Sequence, residues 1–282
     1  MTTTVFLIVL MAALLHAIWN ALVKGGADKL TGMTAVVLGQ GAVAGVCLLT
    51  VAPSPAAASW PWIWAGVALH IGYQVFLIAA YQRGDMTQVY PIARGVAPLL
   101  VTAVSVAFLE VEFSGMQLAA IGLVAIGIAS ISLVRNADGL FQGQAAGLAL
   151  ITGMFIAAYS LADGVGARLA GTSLGFFGWI AFLNSVIYGL ACAVFRPGTL
   201  RKALRLPHIM VLGGGASFVA YALVVYAFTQ APIAMVTALR ETSIVFALLI
   251  GVVILKEPLN LLKVAATATT LVGAALLRIA KG

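Results

Sequence analysis

The segment "TQVYPIARGVAPLLVTAVSVAF", residues 87–108, is long and apolar enough to cross a bilayer, yet it holds an arginine and two prolines. At 1.5 Å per residue such a run reaches across roughly 30 Å of hydrocarbon. Arg94 sits about seven residues, or roughly 10 Å, into the run, near the limit that snorkelling recovers. A charge at that depth costs on the order of 3 kcal/mol or more, so it faces a protein interior or a water-filled cavity. The segment therefore predicts both a membrane protein and a polar space inside it.

The rest of the chain agrees. Of 282 residues, 63% are hydrophobic and only 8% charged, where a soluble domain carries about a quarter charged; the mean hydropathy is +1.12. Ten apolar runs follow one another, at residues 4–23, 33–51, 61–82, 87–108, 115–134, 145–163, 174–195, 209–228, 233–255 and 259–279. The short connections hold nearly all the Lys, Arg, Asp and Glu and leave no room for a soluble domain. The opening "MTTTV" lacks the basic start of a secretory signal, so the first run is read as a mature helix. Cys47 and Cys192 lie in apolar runs without a CxxC or His-rich partner, which argues against a disulfide framework or a metal site. The net charge of +7 is a Lys/Arg excess of the connections and does not indicate a nucleic-acid partner.

The chain also repeats. Trp19 and Tyr159, Cys47 and Cys192, Pro53 and Pro197, Pro61 and Pro207, Arg94 and Arg240, and Glu112 and Glu257 recur in order at offsets of 140 to 146 residues. Two five-helix halves result, residues 1–140 and 141–282. Because five is odd, a second half of the same fold enters the membrane from the opposite side. The expected fold is thus an all-α membrane protein of ten transmembrane helices, arranged as two inverted five-helix repeats around a central cavity. In secondary transporters built this way the binding site lies near mid-membrane, where the repeats meet.

Polar residues inside the runs mark that site. Arg240, in "TALRETS", is about seven residues into its own run and has Glu241 beside it. Adjacent helical residues point about 100° apart, so Glu241 is expected to pair with Arg94 rather than Arg240. Tyr90 and Arg94 share a helix face, as do Thr237 and Glu241. Pro91 and Pro98, with Gly95 between them, predict a kink or hinge there, since each proline removes a backbone donor. His16, Trp19 and Asn20 form one face of the first run; His70, Tyr73, Gln74 and Tyr81 are compatible on the third; Tyr159 and Ser160 answer Trp19 and Asn20 in the second half. The rings offer flat apolar surfaces to aromatic or cationic ligands. Trp60, Trp62 and Trp64 read as interface anchors, and Tyr188 and Tyr226 as ordinary packing. The runs "GQGAVAG" at 39–45 and "GGGAS" at 213–217 permit close helix approach.

The stretches "LLHAIWNALVKGG", "AYQRGDMTQVYPIARGVAPLL" and "FLEVEFSGMQLAAIGLVAIG", with their echoes "AFTQAPIAMVTALRETS" and "ILKEPLNLLKVAATATTLVGAALL", resemble the EamA-like branch of the drug/metabolite transporter superfamily. The resemblance covers essentially the whole chain. It implies a ten-helix exporter of amino acids or related metabolites, similar to the YddG-type aromatic amino acid exporters. It implies a cavity lined mainly by helices one, three, four, six, eight and nine. It gives Glu112 and Glu257 a structural, interface role. It also implies cytoplasmic termini, whereas nine inward Lys and Arg against three favour termini outside.

The expected function is an inner-membrane secondary transporter of bacterial type, multi-pass, exporting small metabolites by alternating access. Aromatic or large apolar amino acids lead as substrates, with other metabolites, cationic drugs or nucleosides as alternatives. Arg94 or Arg240 would hold the substrate carboxylate, and Trp19, Tyr73, Tyr81 and Tyr90 its side chain. Glu241 would serve a proton or an amine. An intramembrane enzyme would need HExxH, paired aspartates or a phosphate loop, which the sequence lacks. The expected partners are a small molecule and the lipid bilayer, with no cofactor, no metal and a monomeric chain.

Overall fold

The computed structural model describes residues 1–24, 26, 28–83, 86–135, 143–254 and 261–280. Seven long helices come first: α1 Thr3–Lys24, α2 Lys29–Thr50, α3 Trp60–Arg83, α4 Met86–Phe108, α5 Gly115–Arg135, α6 Gly143–Ala170 and α7 Ser173–Phe195. A short α8, Pro197–Ala203, and a π turn, Ile209–Gly213, lead into α9, Gly214–Gln230. The ninth apolar run is divided into α10, Ile233–Arg240, and α11, Ser243–Val253; α12, Leu261–Ile279, ends the chain. Eight stretches are long and apolar enough to cross a membrane, and α5 and α12 add shorter apolar stretches at Gly115–Ser130 and Val264–Ile279. The protein is an all-helical, multi-pass membrane protein, with no strand among the described residues.

Two features add to the sequence reading. α4 runs as one helix through Pro91 and Pro98, and a break in the ninth run falls at Glu241 and Thr242, where tight i to i+3 bonds from Glu241 N to Ala238 O (3.1 Å) and from Thr242 N to Leu239 O (3.0 Å) replace the regular ladder. Asp163, placed by its charge at the end of the sixth run, lies fully buried inside a helix that continues to Ala170. The proposed boundary between residues 140 and 141 and the residue Glu257 lie outside the described residues; Glu112 is exposed between α4 and α5.

Outward faces are apolar, as lipid requires: Leu49, Phe195 and Leu261 are each more than four-fifths exposed. Helices approach closely where glycines meet. A Cβ on Gly214 would lie 2.6 Å from Gly39 Cα, so the two glycine-rich runs noted in the sequence pack against each other at the crossing of α2 and α9. Gly273 brings α12 equally close to Ala120 and Val124 of α5. In the interior α3 and α4 lie against α6, α1 lies against α9 and α11, and α2 against α7. At one end of this bundle Val9, Val101, Phe228, Met235 and Leu239 form a continuous apolar plug.

At the opposite end α2 begins with a side-chain cap. Asp28 Oδ1 accepts from Thr31 N at 3.1 Å, and Oδ2 from Thr31 Oγ1 at 2.6 Å. These bonds, the hydroxyl's first, hold the Asp28 carboxyl below its ordinary value. A depressed carboxyl contributes stability above its unfolded pKa of about 3.9 and loses it as pH falls through the lower folded value. Asp28→Ala is expected to cost about 1 kcal/mol at neutral pH. The gap in thermal midpoint between variant and wild type in detergent should close below pH of about 4.

Candidate functional site

Among the described residues, the buried charged side chains are Arg94, Asp163, Arg240 and Glu241. Arg94 Nε lies 2.8 Å from Glu241 Oε2, while the adjacent Arg240 reaches Glu241 Oε1 only at 3.7 Å. The 2.8 Å contact is not aligned as a hydrogen bond, so Coulomb attraction rather than a directed N–H accounts for it. Arg94 Nη2 also donates to Ser243 Oγ at 3.5 Å, at the start of α11. α4 is thereby tied to both sides of the break in the ninth run. Two guanidinium groups facing one carboxylate give this cluster a net charge of +1. Arg240 Nε and Nη2 have no hydrogen-bond partner, and its guanidinium lies 5.8 Å from the centre of the Tyr221 ring.

These charges border a cavity of two adjoining chambers. The larger, about 360 Å³, extends from Arg94 to the exposed Lys29 and Gln82 at the helix ends. The smaller, about 110 Å³, lies deeper and includes Arg240, Tyr159 and Tyr221. His16, Trp19, Tyr73, Gln74 and Arg94 line both. His16 meets Trp19 edge to face at 5.1 Å, as their i, i+3 spacing on α1 predicts. Arg94 lies 5.6 Å from the Tyr90 ring centre.

Of the residues singled out in the sequence, Asn20, Tyr81 and Tyr90 line the larger chamber, and Tyr159 and Arg240 the smaller. Ser160, Thr237 and Glu241 do not form its wall. Ser160 turns to its own helix and donates to Ile156 O at 2.7 Å, Thr237 is buried without a hydrogen-bond partner, and Glu241 stands behind Arg94. Asn20 Nδ2 donates to His16 O at 2.7 Å. Gly95 brings α4 against α5, since a Cβ there would come within 3.3 Å of Ala125 O.

The wall also contains residues that sequence spacing did not select. α2 and α7, absent from the helices the resemblance implied, contribute Gln40 and Asn184, and Tyr188, read as packing, borders the larger chamber. Asp163 of α6 accepts from Tyr221 at 2.8 Å and meets His70 Nε2 at 2.9 Å. The signal for it was Asp163 itself, an acidic residue that could close a long apolar run or sit inside one.

Breaking a buried ion pair by removing one partner costs about 3 to 5 kcal/mol, because the other charge is left uncompensated. Arg94→Gln and Glu241→Gln are each expected to lower the thermal midpoint in detergent sharply. The double variant should be less destabilised than the sum of the two, and additive losses would show that the contact carries no coupling.

Comparison with known proteins is consistent with this architecture. Residues 144–279 match the model of EamA, the EamA-like transporter family. A solved structure described as "Crystal structure of protein" is similar over 98% of this chain and 96% of its own, with a TM-score of 0.77 and 19% identity, a level that speaks to fold alone. No curated protein matches. Through residues 144–279, α6 to α12, the second half of this all-helical membrane protein is thus similar to the EamA-like transporter family.

Proposed function

We propose that the protein is a secondary transporter exporting amino acids, with aromatic or large apolar ones preferred, by alternating access in a bacterial-type inner membrane. The observation that carries the reading is the pair of arginines at a mid-bundle cavity, which with Glu241 form a cluster carrying one positive charge in excess and so suited to an anion. Arg240, with two nitrogens lacking hydrogen-bond partners, is the carboxylate anchor, and Arg94 is held back by Glu241. Charge-assisted, forked bonds suit that role. Trp19, Tyr73 and Tyr90 offer ring faces to the substrate side chain, and Gln74 Oε1, buried without a partner, offers an acceptor for its ammonium group. The cavity is of the size that small-molecule sites occupy, at about 360 Å³ for the larger chamber.

Alternating access rests on the repeats 1–140 and 141–282. Exchanging α1 with α6, α2 with α7, α3 with α9, α4 with α10–α11 and α5 with α12 turns the α3–α6 contact into α9–α1 and the α4–α6 contact into α11–α1. It leaves α2–α7 and α5–α12 as pairs with themselves, and all of these contacts are present. That pattern supports an inverted repeat. Pro91, Gly95 and Pro98 on α4, and the break at Glu241 on its counterpart, are the places where one half would flex against the other.

The test is uptake of labelled L-phenylalanine, L-tryptophan, L-leucine and a nucleoside into proteoliposomes holding the purified chain. Saturable amino acid uptake is expected. Losing a charge-assisted bond worth about 1.5 to 3 kcal/mol, Arg240→Gln should raise KM roughly ten- to hundred-fold. Normal transport by both Arg94→Gln and Arg240→Gln would sink the carboxylate assignment, and saturable nucleoside uptake alone would replace the substrate class.

A further inference from the structure

The His70, Asp163 and Tyr221 cluster has no part in holding the substrate as described above, yet it is among the most costly features of the interior. Asp163 is fully buried, with Oδ2 receiving both Tyr221 OH (2.8 Å) and His70 Nε2 (2.9 Å). Its Oδ1 has no hydrogen-bond partner. Room for that oxygen exists because residue 66 is glycine: a Cβ there would stand 2.7 Å from Oδ1. A brace between α3, α6 and α9 would need neither an ionisable acid nor an ionisable base, since a neutral amide makes the same cross-links without the desolvation cost. Intramembrane acid–base pairs of this kind are the parts from which proton relays are built.

The surroundings give the pair an entrance and a connection to the site. His70 borders the smaller chamber with its side chain 15% exposed, while the Asp163 side chain is sealed at 0%. A proton therefore reaches the carboxylate by way of the imidazole. The titratable and charged groups around the pair are few. Tyr159 of α6 stacks on His70 at 4.2 Å, Tyr221 of α9 crosses it edge-on at 5.5 Å, and Tyr73 meets Tyr159 at 5.7 Å. Arg240 of α10 lies over the Tyr221 ring, and Arg94 of α4 and His16 of α1 also line the chamber. α7 contributes the apolar Phe177 and Ile180 to this chamber beside Asn184. Tyr221 thus touches both the proposed carboxylate anchor and the buried acid.

We propose that His70 and Asp163 form a proton-carrying site, separate from the arginines, that couples substrate movement to a proton gradient. With Nε2–H donating to the Asp163 carboxylate, Nδ1 of His70 is the basic atom. A hydronium ion entering the chamber gives up its proton, an Nδ1–H bond forms, a water molecule is left, and the pair passes from a net charge of −1 to zero. The reverse step, after the cavity faces the other side, returns the proton to water. A carboxylate on Arg240 and a proton on His70 reach each other through Tyr221, two contacts away. This rests on the transporter reading, and a measurement that separates coupling from transport tests it.

The full chain is reconstituted with labelled L-phenylalanine in two assays, accumulation driven by a pH gradient and counterflow exchange at equal pH. Asp163→Asn and His70→Gln, which keeps an N–H donor for Asp163, are expected to abolish gradient-driven accumulation while retaining counterflow. Accumulation at the wild-type level in both variants overturns the proposal. So does a wild-type protein that exchanges phenylalanine but never accumulates it, a result that leaves the transporter reading intact. If wild type carries no phenylalanine, the substrate reading is what fails, and proton binding decides the site. On a jump from about pH 8 to about pH 5, purified wild type should take up about one proton more per chain than His70→Gln. Equal uptake overturns the site.

Discussion

The contact between Arg94 and Glu241 is the constraint around which the rest is arranged. Two opposite charges deep in a bilayer must meet, since either alone costs several kcal/mol, and here they come from α4 and from the break that follows α10. The break lets that meeting happen. A regular helix through residues 238–245 would keep its carbonyls in line, whereas the tight turn there re-pairs them internally, with Thr242 Oγ1 also donating to Leu239 O at 2.8 Å. In α4 the same need is met without a break. Pro98 cannot donate to the carbonyl four residues earlier, that of Arg94, yet the helix continues through it.

Local rules explain which parts of this were legible beforehand. The apolar runs read correctly because lipid demands about 20 apolar residues wherever a helix crosses. The partner of Glu241 followed from the 100° step between adjacent helical residues, which turns it away from Arg240. The same step explains why Ser160 failed to follow Tyr159 into the cavity: one residue on, its hydroxyl faces back to Ile156 O. Asp163 was misplaced because a charge in an apolar run has two readings, edge or site. Only the partners decide, and these are His70 and Tyr221, 93 and 58 residues away along the chain. Gln40 and Asn184 escaped notice for a similar reason, since a single amide in an otherwise apolar helix sets no periodicity that betrays the face it occupies.

Charge placement also divides the cavity by chemistry. The Arg94, Arg240 and Glu241 group has one positive charge in excess, while Asp163 on the far side of Tyr221 is negative when ionised. An interior that held only the first group would attract an anion and release it reluctantly. A buried acid sharing a tyrosine with the anchor opposes that attraction, and it does so more when it is not neutralised by a proton on His70. In the proposed reading the two clusters together would therefore make occupancy of Arg240 by an anion and protonation of the pair interdependent, by the same low-dielectric electrostatics that made each of them costly.

The two ends of the bundle are held by unlike means, and under the proposed alternating access that difference says where movement would begin. The larger chamber reaches the helix ends at Lys29 and Gln82. The other end is shut by the plug around Phe228 and Leu239 and by Arg168, which donates from Nε to Phe228 O at 2.9 Å and from Nη2 to Ala231 O at 3.0 Å. Those carbonyls belong to the C-terminus of α9, where helix geometry leaves acceptors unpaired and the dipole favours a cation. Arg168 thus fixes the turn between α9 and α10 to the end of α6. An opening at this end has to separate α6 from that turn, and so has to give up both bonds, each of the charged kind worth about 1.5 to 3 kcal/mol. α10 leads directly from that turn to Arg240 and Glu241, eight residues along. In the proposed cycle, displacing the clamp would therefore move the helix that bears Arg240, coupling the closed end to the charged centre.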